Sequence, residues 1–164
     1  SGIGVSCRTD NWKHLSTHGA LAALEFQKQI EQKAFNATGS IQAPAQRVED
    51  FIQQKSSTTL PRTSYLPGII SSPLDKILPS FINNSLREAL IDFGKKMRGY
   101  RTNEAILVGV ESRTSSPVRI PRHKETLRHP QINNLFPCGE GAGYAGGIVS
   151  AAMDGIACAT SVAK

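Results

Sequence analysis

The chain has 164 residues, a formal net charge of +6 and a hydrophobic fraction of 39%. This length is enough for one ordinary domain, or for a small domain and a piece of another. No apolar run is long enough to cross a bilayer, and no CxxC pair indicates a zinc ribbon or a disulfide framework. Transmembrane and disulfide-scaffold classes are therefore excluded. Cys7, Cys138 and Cys158 are widely spaced thiols that suit a reducing, cytoplasmic compartment.

The first third of the chain alternates between predicted elements and loops. A β-prone run over residues 3–8 predicts a strand, and the apolar spacing over residues 19–34 predicts a helix. Residues 36–44 have loop composition, and residues 48–54 favour a short helix. The chain opens on Ser1 without an initiating Met or a signal peptide, and we expect it to be part of a longer protein.

The middle and end of the chain contain two more predicted helices. Prolines recur every six residues from Pro61 to Pro79 and predict an ordered loop with at most a turn of helix. An apolar stripe over residues 80–97 predicts a long helix, and the Ala- and Gly-rich residues 147–162 predict a last one. Three strands are predicted, over residues 105–110, 118–120 and 132–137.

The most informative feature is a glycine-rich loop between the last predicted strand and helix. Five of the nine residues 139–147 are glycine, and Gly141, Gly143 and Gly146 satisfy the GxGxxG pattern of dinucleotide-binding loops. Such a loop normally opens a nucleotide domain, but only 17 residues follow Gly147 and none beyond Asp154 is acidic. We therefore predict a loop that closes a nucleotide domain. A tight turn without a ligand is the alternative.

The basic residues are densest between Arg113 and Arg128. This stretch lacks interleaved aromatic residues, which disfavours a single-stranded nucleic-acid surface. A dinucleotide pyrophosphate suits the positive charge, as does a plain solvated surface. The alternative function is a non-catalytic basic module that binds RNA or a phosphorylated ligand. His14 and His18 are four residues apart, but no HExxH pattern accompanies them, so no metal site is predicted.

Two segments resemble the signatures of a family of FAD-dependent dehydrogenases, which are NAD(P)/FAD-type oxidoreductases, largely uncharacterised and mostly bacterial. Residues 135–148, LFPCGEGAGYAGGI, resemble the family's C-terminal signature, and residues 111–120, ESRTSSPVRI, resemble a second one. At Ser112 the family more often has Thr. Weaker matches, in the same order along the chain, are at residues 18–34, 43–46 and 64–68.

The resemblance implies an α+β fold and two parts of the chain with different functions. Residues 1–128 would form a substrate-facing domain with a mixed sheet and packed helices, and residues 129–164 the last strand and helix of a Rossmann-like FAD-binding domain. The N-terminal FAD-binding portion, with the first GxGxxG loop, is not in this sequence and is an expected partner. The implied parent is an FAD-dependent oxidoreductase that transfers hydride, with NAD(P) as a candidate electron partner, while this chain alone is expected to be inactive.

The resemblance also implies roles for individual residues. Glu140 would hydrogen-bond the ribityl chain of FAD, and Gly146, Gly147 and Ile148 would begin a helix aimed at the flavin ring. The full set of expected cofactor-binding residues is Gly139, Glu140, Gly141, Ala142, Gly143, Tyr144, Ala145, Gly146, Gly147 and Ile148.

Two arginines are the candidate catalytic residues of the same site. Arg113 and Arg119 are expected either to pair with a carboxylate or phosphate of a small-molecule substrate or to stabilise developing negative charge. Structural salt bridges, for example to Glu111, are the alternative for both. The Ala- and Gly-rich last helix is suited to close packing, so a homo-oligomer formed through it is a further expectation.

Overall fold

The computed structural model describes residues 2–113 and 115–163. These residues form two compact units, each built from separate stretches of the chain. Unit 1 consists of residues 2–11 and 27–112, and unit 2 consists of residues 12–26, 113 and 115–163. The five helices of the described residues are α1 (Ala22–Thr38), α2 (Val48–Ile52), α3 (Leu74–Ile77), α4 (Ser80–Lys96) and α5 (Ile148–Val162), and a kinked run of 3₁₀ turns spans Thr9–Leu21.

Unit 1 contains a small mixed sheet of three strands, β1 (Ala43–Arg47), β2 (Ile69–Ser71) and β3 (Ile106–Val108), in the order β2-β1-β3. Strand β1 runs parallel to β2, with Ala43 opposite Ile69, and antiparallel to β3, with Ala45 opposite Val108. The α+β class with a mixed sheet and packed helices is therefore confirmed.

The hydrophobic core of unit 1 joins the sheet region to the helices. Phe51 and Leu90 are almost completely buried and belong to one cluster with Val48, Leu74 and Ile77. Burying a large apolar side chain of this kind contributes roughly 1.5–3 kcal/mol.

Gln46 is a fully buried polar residue in strand β1. Its Nε2 donates to the carbonyl of Lys55 at 2.7 Å, and its Oε1 accepts from the Leu74 N–H at 2.9 Å. Because both ends of the amide are bonded, its burial carries little penalty, and the side chain connects the segment after α2 and the start of α3 to the sheet.

Unit 2 contains α5, the glycine-rich loop and the segment around the only tryptophan of the sequence. The rings of Trp12 and Phe26 lie 5.9 Å apart between centroids. Ala142 in the loop and Cys158 in α5 are both buried. Unit 2 therefore has buried apolar side chains of its own, and two of them lie in the loop and in the helix that follows it.

Three predicted strands are absent from the structure, and two of its strands were not predicted. Residues 3–8 and 118–120 are not strands, strand β2 lies in a segment that was predicted as a loop, and strand β1 begins at the end of another such segment. The predicted strand over residues 132–137 is instead a turn followed by irregular chain, and within the turn the Leu135 N–H donates to the Ile132 carbonyl at 3.2 Å. Among the described residues no neighbouring strand is available there for ladder pairing. Its assignment to a Rossmann-like sheet stays a prediction.

Candidate functional site

The glycine-rich loop of residues 139–147 is a pair of tight turns. Its Gly143 N–H donates to the Glu140 carbonyl at 2.9 Å, and the Tyr144 N–H donates to the Gly139 carbonyl at 3.0 Å. Gly139 and Gly143 have φ values of 71° and 82°, which side-chain-bearing residues rarely adopt. A Cβ atom on Gly143 would lie 2.7 Å from the Val118 carbonyl oxygen. This position therefore requires glycine both for its backbone angle and for close packing.

A neighbouring segment, residues 116–120, holds the loop in place. The Ile120 N–H donates to the Ala142 carbonyl at 3.1 Å, and Arg119 Nε donates to the Gly143 carbonyl at 2.9 Å. The Tyr144 hydroxyl donates back to the Ile120 carbonyl at 2.9 Å. The segment that resembles the second family signature is thus bonded directly to the glycine-rich loop.

An ion pair between Arg122 and Asp154 connects the loop to α5. Arg122 Nη2 lies 2.5 Å from Asp154 Oδ1, and Nη1 lies 3.0 Å from Oδ2, which is a bidentate pair. The two side chains are only 10% and 14% exposed. Asp154 Oδ2 also accepts from the Gly139 N–H at 2.8 Å, and Arg122 Nη1 donates to the Pro137 carbonyl at 2.7 Å. One carboxylate therefore fixes both the start of the loop and the helix that follows it.

The ion pair changes the pKa values of both partners in the expected directions. The hydrogen bonds from Arg122 are the largest effect and lower the pKa of Asp154, while burial opposes them and the Gly139 N–H adds to them. The same hydrogen bonds raise the pKa of Arg122. The carboxylate is therefore ionised in the folded chain at neutral pH.

The ring of Tyr144 packs against two arginines. The guanidinium carbon of Arg122 lies 3.6 Å from the ring centroid, and that of Arg119 lies 4.9 Å from it. Both distances are in the range of cation–π attraction. Tyr144 is thus a packing residue of the loop, and its predicted contact with a cofactor stays a prediction.

The far end of the loop is open. A Cβ atom on Gly146 would meet no atom within 4 Å, and Ile148, the first residue of α5, is 92% exposed. The first turn of a helix has backbone N–H groups without helical partners, and its dipole favours negative charge. Gly146, Gly147 and Ile148 therefore leave room for a ligand beside the N-terminus of α5.

The structure brings only part of the predicted site together. Arg119 lies beside the glycine-rich loop, and its Nε donates a hydrogen bond to the Gly143 carbonyl. Arg113 is exposed, and Glu140 is half-buried at the first turn of the loop. The catalytic roles of both arginines and the cofactor contacts of residues 139–148 stay predictions. Sequence reasoning missed the pairing of Arg122 with Asp154, for which a single acidic residue in an otherwise uncharged helix was the available signal.

One face of α5 is apolar and exposed. Val149, Met153 and Ile156 are 72%, 66% and 68% exposed and follow one another at helical spacing. Within residues 2–113 and 115–163, no helix is long and apolar enough to cross a membrane. The same residues contain no group of three or more His, Cys, Asp or Glu side chains that could hold a metal ion.

Residues 1–114 match a protein family described as "FAD-dependent protein, C-terminal domain-like". The chain belongs to this family. It is also 44% identical over 139 residues to an uncharacterized protein of Clostridium beijerinckii (strain ATCC 51743 / NCIMB 8052). That alignment covers 83% of the chain and 26% of the relative, so the chain spans about a quarter of the length of the curated relative that it matches. Membership of an FAD-dependent family is thus shown for the chain, and the expected resemblance is confirmed at that level.

Proposed function

We propose that the chain is part of an FAD-dependent oxidoreductase and provides one of two protein segments that contact the flavin. The observation that carries this proposal is the glycine-rich loop, which ends in open space at the N-terminus of α5 in a chain of an FAD-dependent family. Bound FAD supplies the hydride-transfer chemistry, and the protein supplies binding, orientation and electrostatics.

The residues at the open end of the loop fit the flavin chemically. Gly146 presents bare backbone because no side chain covers it, and the first N–H groups of α5 carry partial positive charge. Preorganised donors of this kind favour negative charge at the ring edge that they face. Glu140 is proposed to accept hydrogen bonds from the ribityl hydroxyls. We therefore assign the cofactor-binding role to the loop and to the first turn of α5.

The substrate side is proposed to involve Arg113 and Arg119. Arg119 is held by the loop through the Gly143 carbonyl, and this bond fixes the direction of its guanidinium. An arginine fixed in this way binds a carboxylate or phosphate with less loss of side-chain entropy than a mobile one. We propose an anionic small-molecule substrate and a nicotinamide nucleotide as the electron partner.

The exposed apolar face of α5 is proposed to pack against the remainder of the FAD-binding domain in the longer protein. Val149, Met153 and Ile156 would lose their water contact there. Each such side chain contributes roughly 1.5–3 kcal/mol when it is fully buried. Self-association of this chain through the same face is the competing outcome, and the mass of the chain in solution distinguishes the two.

The alternative of a basic RNA-binding module finds less support in the contacts. Arg122 is neutralised by its ion pair with Asp154, so this arginine of the basic stretch presents no unpaired charge to a phosphate backbone.

The test is a titration of FAD with the longer protein that contains this chain, in which binding is measured by the quenching of flavin fluorescence. Gly146→Ala places a methyl group in the proposed flavin space and should weaken FAD binding at least tenfold. Gly4→Ala is the matched control, because it also adds a methyl group to open space but lies outside the loop. Equal affinity in the wild type and Gly146→Ala would remove the loop from the cofactor site.

A further inference from the structure

Two of the three cysteines meet at the base of the glycine-rich loop. Cys158 lies in α5 one turn after Asp154, and its Sγ is 3.9 Å from the Pro137 carbonyl oxygen. On the other side of Cys138, the Gly139 N–H is bonded to Asp154. The residues that flank Cys138 therefore both contact α5, and the Cys138 side chain lies close enough to Cys158 to raise the pKa of the Cys158 thiol.

The two thiols have different environments. Cys138 is exposed to solvent, whereas Cys158 is 4% exposed. Burial is the main reason that the pKa of Cys158 is raised, and the nearby Asp154 and Cys138 side chains raise it further. The raised pKa keeps the Cys158 thiol protonated, and the solvent exposure of Cys138 lets a small oxidant in solution reach it.

Arg122 lies beside the buried sulfur. Its Nη1 is 3.2 Å from Cys158 Sγ, and its positive charge opposes the effect of burial on the pKa of Cys158. A cation at this distance stabilises a thiolate while it forms. A buried thiol with such a neighbour can lose its proton when an electrophilic sulfur comes within reach.

We propose that Cys138 and Cys158 form a reversible disulfide when the protein meets a peroxide. The Cys138 sulfur attacks one peroxide oxygen, so that an S–O bond forms, the O–O bond breaks, and the departing hydroxide leaves as water after taking up the thiol proton. The Cys158 sulfur then attacks the resulting sulfenic acid, and its own proton leaves with the displaced hydroxide as a second water. The net reaction converts two thiols and one hydrogen peroxide into one disulfide and two waters.

The disulfide joins the start of the glycine-rich loop to the third turn of α5. It therefore acts at the same junction as the ion pair of Arg122 and Asp154, whose contacts flank both cysteines. Oxidation locks the base of the loop to the helix, and reduction by a dithiol releases it. Transient, redox-responsive disulfides of this kind are those found in reducing compartments.

The experiment exposes the folded chain to a small molar excess of hydrogen peroxide and then alkylates the remaining thiols in denaturant. The unoxidised chain should take up three alkyl groups, one for each of its three cysteines. The oxidised chain should take up one, on Cys7, and peptide mapping without reductant should join the peptides of Cys138 and Cys158. Uptake of three groups, or a linkage that involves Cys7, would overturn the proposal.

Three variants separate the roles of the cysteines. Cys158→Ser should stop the reaction at a sulfenic acid on Cys138 that dimedone traps, and Cys138→Ser should abolish the linkage. Cys7→Ser is the matched control and should form the disulfide at the wild-type rate. The emission of Trp12, which lies in the same unit as Cys138 and Cys158, shows that their variants are folded, and circular dichroism shows it for Cys7→Ser. A sulfinic acid on Cys138 in the wild-type chain, formed faster than the disulfide, would contradict a resolving role for Cys158.

Discussion

The ion pair of Arg122 and Asp154 allows the sharpest test of how the loop is held. Asp154→Asn keeps the shape of the side chain and an acceptor for the Gly139 N–H, but it removes the charge that neutralises Arg122. Breaking a buried pair by neutralising one partner costs about 3–5 kcal/mol. Because the two side chains keep 10% and 14% exposure, we expect the lower end, about 3 kcal/mol.

The assay is urea unfolding, measured by the fluorescence emission of Trp12. Trp12 is the only tryptophan of the sequence and lies in unit 2 with the ion pair. Glu125→Gln is the matched control, because it makes the same carboxylate-to-amide change at an exposed position in that unit. Exposed substitutions change the free energy of unfolding by about 0.5 kcal/mol or less. If Asp154→Asn costs no more than Glu125→Gln, the pair does not hold the loop.

The same pair predicts a pH dependence. The pKa of Asp154 is lowered in the folded chain, chiefly by the hydrogen bonds from Arg122. Its stabilising contribution is therefore fully present above its ordinary pKa of about 3.9 and is lost as the pH falls through the lower, folded-state value. The difference in unfolding free energy between the wild type and Asp154→Asn should be constant near neutrality and shrink below about pH 4. A difference that stays constant down to pH 2 would contradict this assignment.

Two further substitutions test the loop and the core of unit 1. Gly143→Ala should destabilise unit 2 by about 2 kcal/mol or more, because of its positive φ and the contact with the Val118 carbonyl, whereas Gly146→Ala should leave the unfolding midpoint unchanged. Equal urea midpoints for these two variants would refute the loop geometry. Gln46→Ala removes the partner of the Leu74 N–H and of the Lys55 carbonyl, and it should lower the free energy of unfolding by about 2 kcal/mol. The measurement is unfolding monitored by circular dichroism, and the exposed Gln53→Ala should change that free energy little. An unchanged free energy of unfolding in Gln46→Ala would show that water replaces the amide of Gln46.

Helices with regular apolar spacing could be predicted well from the sequence. Helix α4 begins at Ser80 as expected and ends at Lys96, one residue before the predicted end, because its apolar stripe and basic last turn are both local signals. Helix α5 is likewise found at Ile148–Val162. Local sequence carries these elements because their hydrogen bonds are made within the element.

Strand β1 could not be predicted because its sequence is atypical for a central strand. Pro44 cannot donate a ladder hydrogen bond, and Gln46 is polar although it is fully buried. The strand forms because its partners come from distant parts of the chain: the Pro44 carbonyl accepts from the Gly109 N–H at 3.0 Å. Such pairings have no local sequence signal.

The candidate site shows the same division. The GxGxxG spacing located the loop and the helix after it, since glycine content is a local property. The contacts of Arg119 with Gly143 and of Arg122 with Asp154 join residues 24 and 32 positions apart. The chemistry of its guanidinium suggested a substrate role for Arg119, which stays a prediction, and the structure adds a contact with the loop that composition could not reveal.

The most direct test of the proposed flavin site is the visible absorption spectrum of the full-length Clostridium beijerinckii relative, recorded beside that of this 164-residue chain. We expect a flavin band in the purified relative and none in this chain alone, because one of two flavin-contacting segments binds FAD weakly by itself. A relative without a flavin band, even after FAD is added, would contradict the oxidoreductase proposal. Stoichiometric FAD in this chain would contradict the division of the site between two segments.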